Sequence, residues 1–206
     1  MRPEDGRGAK VSTALLLVDV INDFFDPQGR NYKPEYDSVL VAIKTILRWA
    51  RAARIPVVHA REAHRRGPDF EQKKLPVHCL SGSWDVQPPA GLDVGCEQGS
   101  TGAGNRDGED LVVYKRRYSA FFGTDLDLAL RERQIARLVV VGVKTHVCVR
   151  ATVQDAFAYG YEVVVPREAT GSNYHHLRDA SLEDIQRYMG QVVSLDETRK
   201  ILGVEG

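Results

Sequence analysis

The chain has 206 residues, 43% of them hydrophobic and 27% charged, with 28 basic residues balancing 28 acidic ones. That profile suits one α/β domain with a sizeable core and argues against wholesale disorder. Zero net charge supplies no electrostatic reason to expect nucleic acid as a partner.

Three cysteines, Cys79, Cys96 and Cys148, stand without a CxxC pair. This argues against a disulfide scaffold or a structural zinc site and points to a reduced, cytoplasmic setting. The opening MRPEDGRGAK carries charges of both signs and no apolar stretch, so it does not read as a secretory signal; residues 1–12 are expected to be a flexible N-terminus. No apolar run approaches the ~20 residues of a membrane span, so no membrane partner is expected.

In chain order, Ala14–Val20 (ALLLVDV) is short, apolar and almost without alternation, the pattern of a parallel strand covered on both faces. Ser38–Arg54 reads as a helix, with Val39, Ile43, Ile46 and Leu47 at helical spacing and Asp37 or Ser38 as N-cap. Ile55–Ala60, Leu111–Tyr114 and Leu138–Val141 are further strands, with a helix at Leu126–Arg133. Val147–Tyr159 reads as a helix ending at Gly160, followed by a strand at Glu162–Val165, a helix at Leu177–Met189 and a short strand at Val192–Leu195. The alternation predicts a doubly wound, mostly parallel six-stranded sheet with helices on both faces, in a single domain spanning 1–206. The connection 61–110 shows no regular structure, and its part 91–108 is glycine-rich and polar without the GK[ST] of a phosphate-binding loop.

Ligands in such folds bind beyond the carboxyl ends of the strands. Three strand ends carry reactive groups: Asp19, Lys115, and Cys148 after the turn Gly142-Val143-Lys144-Thr145-His146. Cys148 is expected in the first turn of a helix, where the dipole and free N–H groups, with Lys115 nearby, favour a thiolate. Asp19 is placed to take the thiol proton and later return it to a leaving amine. Each residue alone also has a plainer reading, as a small buried hydrophobe, a turn former and a solvated surface cation respectively.

The segments LLLVDVINDFF, VVYKRRYSAFFGTDLD and VVVGVKTHVCVRATVQDAFAYGYEVVV resemble the isochorismatase-like cysteine hydrolases. That family includes nicotinamidases and the N-carbamoylsarcosine, ureidoacrylate and biuret amidohydrolases. The similarity runs in order and spacing from about Ala14 to Ser172. It implies a catalytic triad of Asp19, Lys115 and Cys148, a cis peptide at Val143–Lys144, and an oxyanion site formed by the backbone N–H groups of Lys144 and Cys148. On this reading the Lys144 side chain is incidental, because the motif uses its backbone. Retention of the cysteine favours hydrolysis of an amide or ureido C–N bond over cleavage of an enol ether. A homo-oligomer, dimer or tetramer, is also expected from the resemblance.

The same resemblance suggests substrate contacts. Phe24 stands where nicotinamidases place a phenylalanine against the substrate ring, and Asn22 where the family supports the site. Tyr118 and Phe121 are candidates for the pocket or a subunit interface, His64 for a pocket hydrogen bond, and Arg117 for an anion clamp on a substrate carboxylate. Arg150 is expected to make structural ion pairs, and His175 and His176 to lie on the surface. No cofactor is required. A zinc or iron ion would fall to Glu62, His64 and His78, although a glutamate stands where nicotinamidases have an aspartate and their intervening histidine is absent. Leu75 replaces the aromatic that nicotinamidases place before the later histidine, with Trp84 as a substitute from the same loop.

The leading expectation is therefore a nicotinamidase-like hydrolase of a small carboxamide. The rival within enzymes is a hydrolase of an N-carbamoyl or ureido compound. The rival from another class is a catalytically silent small-molecule-binding protein on the same fold. A dinucleotide-binding domain is disfavoured, since the first strand leads into DVINDFF and not a glycine-rich turn.

Overall fold

Six apolar segments separated by helices assemble into one parallel sheet, and their order positions everything else. A computed structural model describes residues 11–67, 69–92 and 110–204. The strands are β1 (Thr13–Val18), β2 (Val57–Glu62), β3 (Leu111–Lys115), β4 (Arg137–Val143), β5 (Glu162–Pro166), β6 (Thr170–Gly171) and β7 (Gln191–Val193). The spatial order is β3-β2-β1-β4-β5-β7, with the two-residue β6 pairing to β4. Every pairing among these strands is parallel. The expected six strands are present; β6 is the seventh, too short to leave a sequence signal.

The helices α1 (Asn22–Phe25), α2 (Tyr36–Ala52), α3 (Leu126–Glu132), α4 (Arg150–Ala158), α5 (His175–Tyr188) and α6 (Leu195–Ile201) connect them. The sheet separates two apolar cores, and β1 serves both through its two-residue period. Leu15 and Leu17 face Ile43, Ile46 and Leu47 of α2 on one side. Ala14, Leu16 and Val18 face Leu130 of α3, Val153 of α4 and Ile185 of α5 on the other. This two-sided burial is why β1 reads as a continuous apolar run.

Several boundaries differ from the sequence expectation. β1 stops at Val18 because Asp19 takes a left-handed conformation, with φ of 53°. The helix expected at Val147–Tyr159 begins earlier, as a π-helical turn at Thr145–Val149, so Cys148 sits in that turn and not in the first turn of α4. Gly160, at φ of +87°, ends α4 as expected: its N–H reaches Phe157 O and that of Tyr161 reaches Ala156 O, both at 3.0 Å, a Schellman closure. The sequence reading missed α6, although Ser194 and Glu197 form a full capping box at its start.

The connection expected to be irregular from 61 to 110 is partly ordered. β2 continues to Glu62, and His64 bridges to Leu80 through His64 N–H to Cys79 O (2.7 Å) and Ser81 N–H to His64 O (2.8 Å). The glycine-rich part, 93–109, lies outside the described residues, as does 1–10 of the N-terminal stretch. Ser12 is not loose: its carbonyl accepts from Ala136 and Arg137 N–H at 2.9 and 3.0 Å. Among the described residues, no helix is long and apolar enough to cross a membrane.

The register brings the reactive strand ends together. Val18 pairs with Ala60 of β2 and Gly142 of β4, and Glu62 pairs with Lys115 of β3. Asp19, Glu62, Lys115 and the turn after β4 therefore emerge at one edge. Gly142 is required there: at φ of +121°, a Cβ would lie 1.9 Å from Val18 O.

Candidate active site

Asp19 and Lys115 meet Cys148, which lines a cavity of about 320 Å³, a volume suited to a small molecule. Lys115 Nζ lies 2.8 Å from Asp19 Oδ2 and 3.6 Å from Cys148 Sγ, and also donates to Arg117 O at 3.2 Å. All three side chains are buried. Asp19 Oδ1 accepts the Glu62 N–H at 2.8 Å, which locks the carboxylate to the end of β2. The peptide between Val143 and Lys144 is cis.

Burial decides the resting charges. It pushes the Cys148 thiol well above its ordinary range; the Lys115 ammonium opposes this, while Asp19 and Glu62 add to it. Burial also raises the Asp19 carboxyl, against the pull of Lys115. Burial would lower Lys115, but the charges of Asp19, Cys148 and Glu62 outweigh it and hold the ammonium protonated. A thiol and a carboxyl both shifted upward around a fixed cation form a pair between which a proton can pass.

Phe24 and Tyr118 line the cavity, as does Leu75, which stands at the position of the missing aromatic. Three other expected contacts do not. Asn22 is buried and its Nδ2 donates to Trp84 O at 2.9 Å, tying α1 to the neighbouring loop. Arg117 is engaged elsewhere: its Nη1 donates to Asp69 Oδ1 at 2.9 Å, bracing the loop that carries Asp69. His64 is fully buried between Glu62 and Asp69. Phe121 packs in the core against the rings of Tyr159 and Tyr161. Trp84 does not reach this cavity and is half exposed. Arg150 pairs with Asp184 of α5, and His175 and His176 are exposed.

The sequence reading missed Arg30, Asn31, Glu71 and His146 as lining residues, and took the Lys144 side chain as incidental although it forms part of the wall. His146 and Lys144 stood in view within the turn motif; Arg30 and Glu71 come from loops and carry no local signal.

Glu71 changes the metal question. Glu62, His64, Glu71 and His78 each present a ligand atom, all within 4.8 Å of one another. His64 Nε2 and His78 Nε2 both face Glu62 Oε1, at 2.9 and 3.3 Å. The outer nitrogens are anchored: His64 Nδ1 on Asp69 Oδ2 at 3.0 Å, and His78 Nδ1 on Pro76 O at 2.8 Å. Such backing orients imidazoles in metal sites. Glu71 Oε1 is buried without a hydrogen-bond partner. Two carboxylates, one of them with the orphaned oxygen, and two oriented imidazoles fit a zinc or iron ion. The glutamate at 62 and the absent histidine, which pointed away from a metal in the sequence, are met by a longer side chain and by Glu71. Without an ion, burial and the neighbouring Glu62 push Glu71 up to about 7, and the contact with Glu62 pushes His78 up to about 9.

Residues 13–197 match the isochorismatase domain family. A ureidoacrylate amidohydrolase, RutB of Methylobacterium radiotolerans, is 30% identical, with 98% of this chain and 84% of that protein covered. The crystal structure of an isochorismatase-like hydrolase from Alkaliphilus metalliredigens superposes with a TM-score of 0.80 at 30% identity, covering 92% of this chain and 98% of that one. The pyrazinamidase of Pyrococcus horikoshii in complex with zinc superposes with a TM-score of 0.75 at 25% identity, covering 89% and 99%.

Proposed function

This chain belongs to the isochorismatase domain family, and on that basis we propose that it is a cysteine-dependent amidohydrolase that cleaves a C–N bond of a small amide through a thioester. The observation that carries the reading is the Asp19–Lys115–Cys148 constellation, with Nζ to Oδ2 of 2.8 Å and Nζ to Sγ of 3.6 Å, its cysteine lining a small cavity.

Asp19 takes the thiol proton as Cys148 Sγ attacks the substrate carbonyl. Lys115 keeps its charge throughout, holding Asp19 in place and stabilising the sulfur anion as it forms. The N–H groups of Lys144 and Cys148 receive the developing oxyanion. The tetrahedral adduct expels ammonia or an amine, which leaves with the proton held by Asp19. Water, deprotonated by Asp19, then attacks the thioester; Cys148 regains its proton and the acid product departs. A metal held by Glu62, His64, Glu71 and His78 would supply Lewis-acid polarisation beside this centre.

A second reading is supported by the ureidoacrylate amidohydrolase relative: the amide is then the terminal C–N bond of an N-carbamoyl or ureido compound. Ammonia release from nicotinamide, ureidoacrylate, biuret, maleamate and N-carbamoylsarcosine separates the two. Turnover of the best substrate by Cys148→Ala at the unaltered rate would refute both.

A further inference from the structure

The cavity has an uneven charge distribution. Its two carboxylates cluster together: Glu62 is engaged by His64 and His78, and Glu71 is grouped with them. Two cations also line the wall without a carboxylate partner among the described residues. Lys144 Nζ lies 5.7 Å from the centre of the Phe24 ring, within cation–π range, on a half-buried side chain. Arg30 is tethered at the rim by one guanidinium nitrogen, Nη1, which donates to Val77 O at 3.0 Å. Both belong to the cavity that holds Cys148. His146, which also lines the cavity, is lowered by burial and by the charge of Lys144, and its Nδ1 faces Ser172 Oγ at 2.8 Å. It is a neutral hydrogen-bonding group near pH 7.

Lys144 occupies an unusual position for a side chain with no structural partner. The backbone after it is committed to the π-helical turn. Its side chain contributes no ion pair or hydrogen bond to the fold among the described residues. It is held over the ring that also lines the substrate cavity, while the arginine expected to bind an anion, Arg117, is occupied by Asp69.

We infer that Lys144, with Arg30 at the rim, binds an acidic group of the substrate, so that the preferred substrates are amides or ureido compounds bearing a carboxylate away from the scissile bond. The proposal rests on the amidohydrolase reading and names the substrate class for the same cavity. Phe24 then serves as the apolar floor beneath the cation and the substrate chain. An ammonium on a flexible stem tolerates carboxylates at slightly different distances, whereas Arg30 adds a planar fork. Specificity then lies in the charge at one end of the substrate and reactivity in the amide at the other.

The test measures binding apart from turnover. In Cys148→Ala, the affinity for N-carbamoylglycine is compared with that for its neutral counterpart, N-carbamoylglycinamide, by calorimetry. A charge-assisted contact predicts at least about tenfold tighter binding of the acid. The advantage falls to under about threefold when Lys144→Gln is added, is restored by Lys144→Arg, and shrinks as salt rises toward about 0.5 M. Arg30→Gln, an exposed change that leaves the core untouched, removes part of it and keeps the test valid if the Lys144 variant does not fold. Equal affinities, no binding of either compound, or a preference that survives both substitutions would overturn the proposal. If the acid preference holds while the wild-type chain releases no ammonia from any amide, the anion site stands and the hydrolase reading fails.

Discussion

The ion pair between Asp19 and Lys115 is the most consequential interaction in the site, and removing one member has a calculable effect. The groups lie 2.8 Å apart and neither side chain reaches solvent. At that separation and an effective dielectric of about 20, their attraction is about 6 kcal/mol. Much of this offsets the desolvation of two buried charges, so the pair contributes little relative to an apolar replacement. Breaking it is different: Lys115→Met leaves Asp19 buried beside Glu62 without a counter-charge, and should destabilise the fold by about 3–5 kcal/mol. Asp19→Asn should also destabilise, by stranding the ammonium. The double variant Asp19→Asn/Lys115→Met should cost clearly less than the two losses added, by about 3 kcal/mol. The sign of the pH dependence follows from the same geometry. In Lys115→Met, burial raises the folded-state pKa of Asp19 above its unfolded value, so the folded chain binds the extra proton. The deficit should therefore shrink as pH falls and be largest above neutrality. Urea unfolding of the four proteins between about pH 5 and 8 reads both effects. Additive losses, or a deficit independent of pH, would show that the two groups do not share one electrostatic site.

Other consequences follow from particular contacts. Gly142→Ala should destabilise by about 4 kcal/mol or more, because its Cβ would overlap Val18 O at a φ of +121°; thermal unfolding measures it. Asp110, at the start of β3, accepts from His59 Nε2 at 2.7 Å and Arg51 Nη2 at 2.9 Å. Burial raises its carboxyl, but the contacts to His59 and Arg51 outweigh this and hold it below its usual 3.8. A depressed folded pKa means that this stabilisation is complete above pH 3.8 and is lost as pH falls below it. Asp110→Asn should cost about 1–3 kcal/mol at neutral pH and flatten the acid limb of the stability curve. Elemental analysis after incubation with zinc should find about one ion per chain, released by chelator and lost in His78→Ala or Glu71→Gln; equal zinc in the variants would remove these residues from the site.

The legible parts of this protein are those whose signals are local. β1, β4 and β5 are covered on both faces, so their apolar runs announce buried parallel strands. Asp19 follows β1, Lys115 ends β3 and Cys148 lies in the turn after β4, where the fold gathers reactive groups, and the surrounding motifs singled them out. The cavity walls were less legible because loops build them. Glu71 joins Glu62 and His78 only because the chain folds back on the His64–Leu80 bridge, a pairing set by tertiary contacts. Arg117 looked available for an anion because nothing local reveals Asp69 beside it. The π-helical turn also escaped, since its residues carry the same pattern as the first turn of an α-helix. At α6 the signal is local too: the capping box from Ser194 to Glu197 is readable in the sequence.

The central claim is that Cys148 carries the acyl group of the substrate. Rapid acid quenching during turnover of the best amide in the panel, followed by intact-mass and peptide mass spectrometry, tests it directly. The account predicts a transient mass increase equal to the substrate acyl group less one hydrogen, located on the peptide containing Cys148 and absent in Cys148→Ala. Steady hydrolysis by the wild-type chain with no adduct at any quench time, together with retained activity in Cys148→Ala, would contradict it.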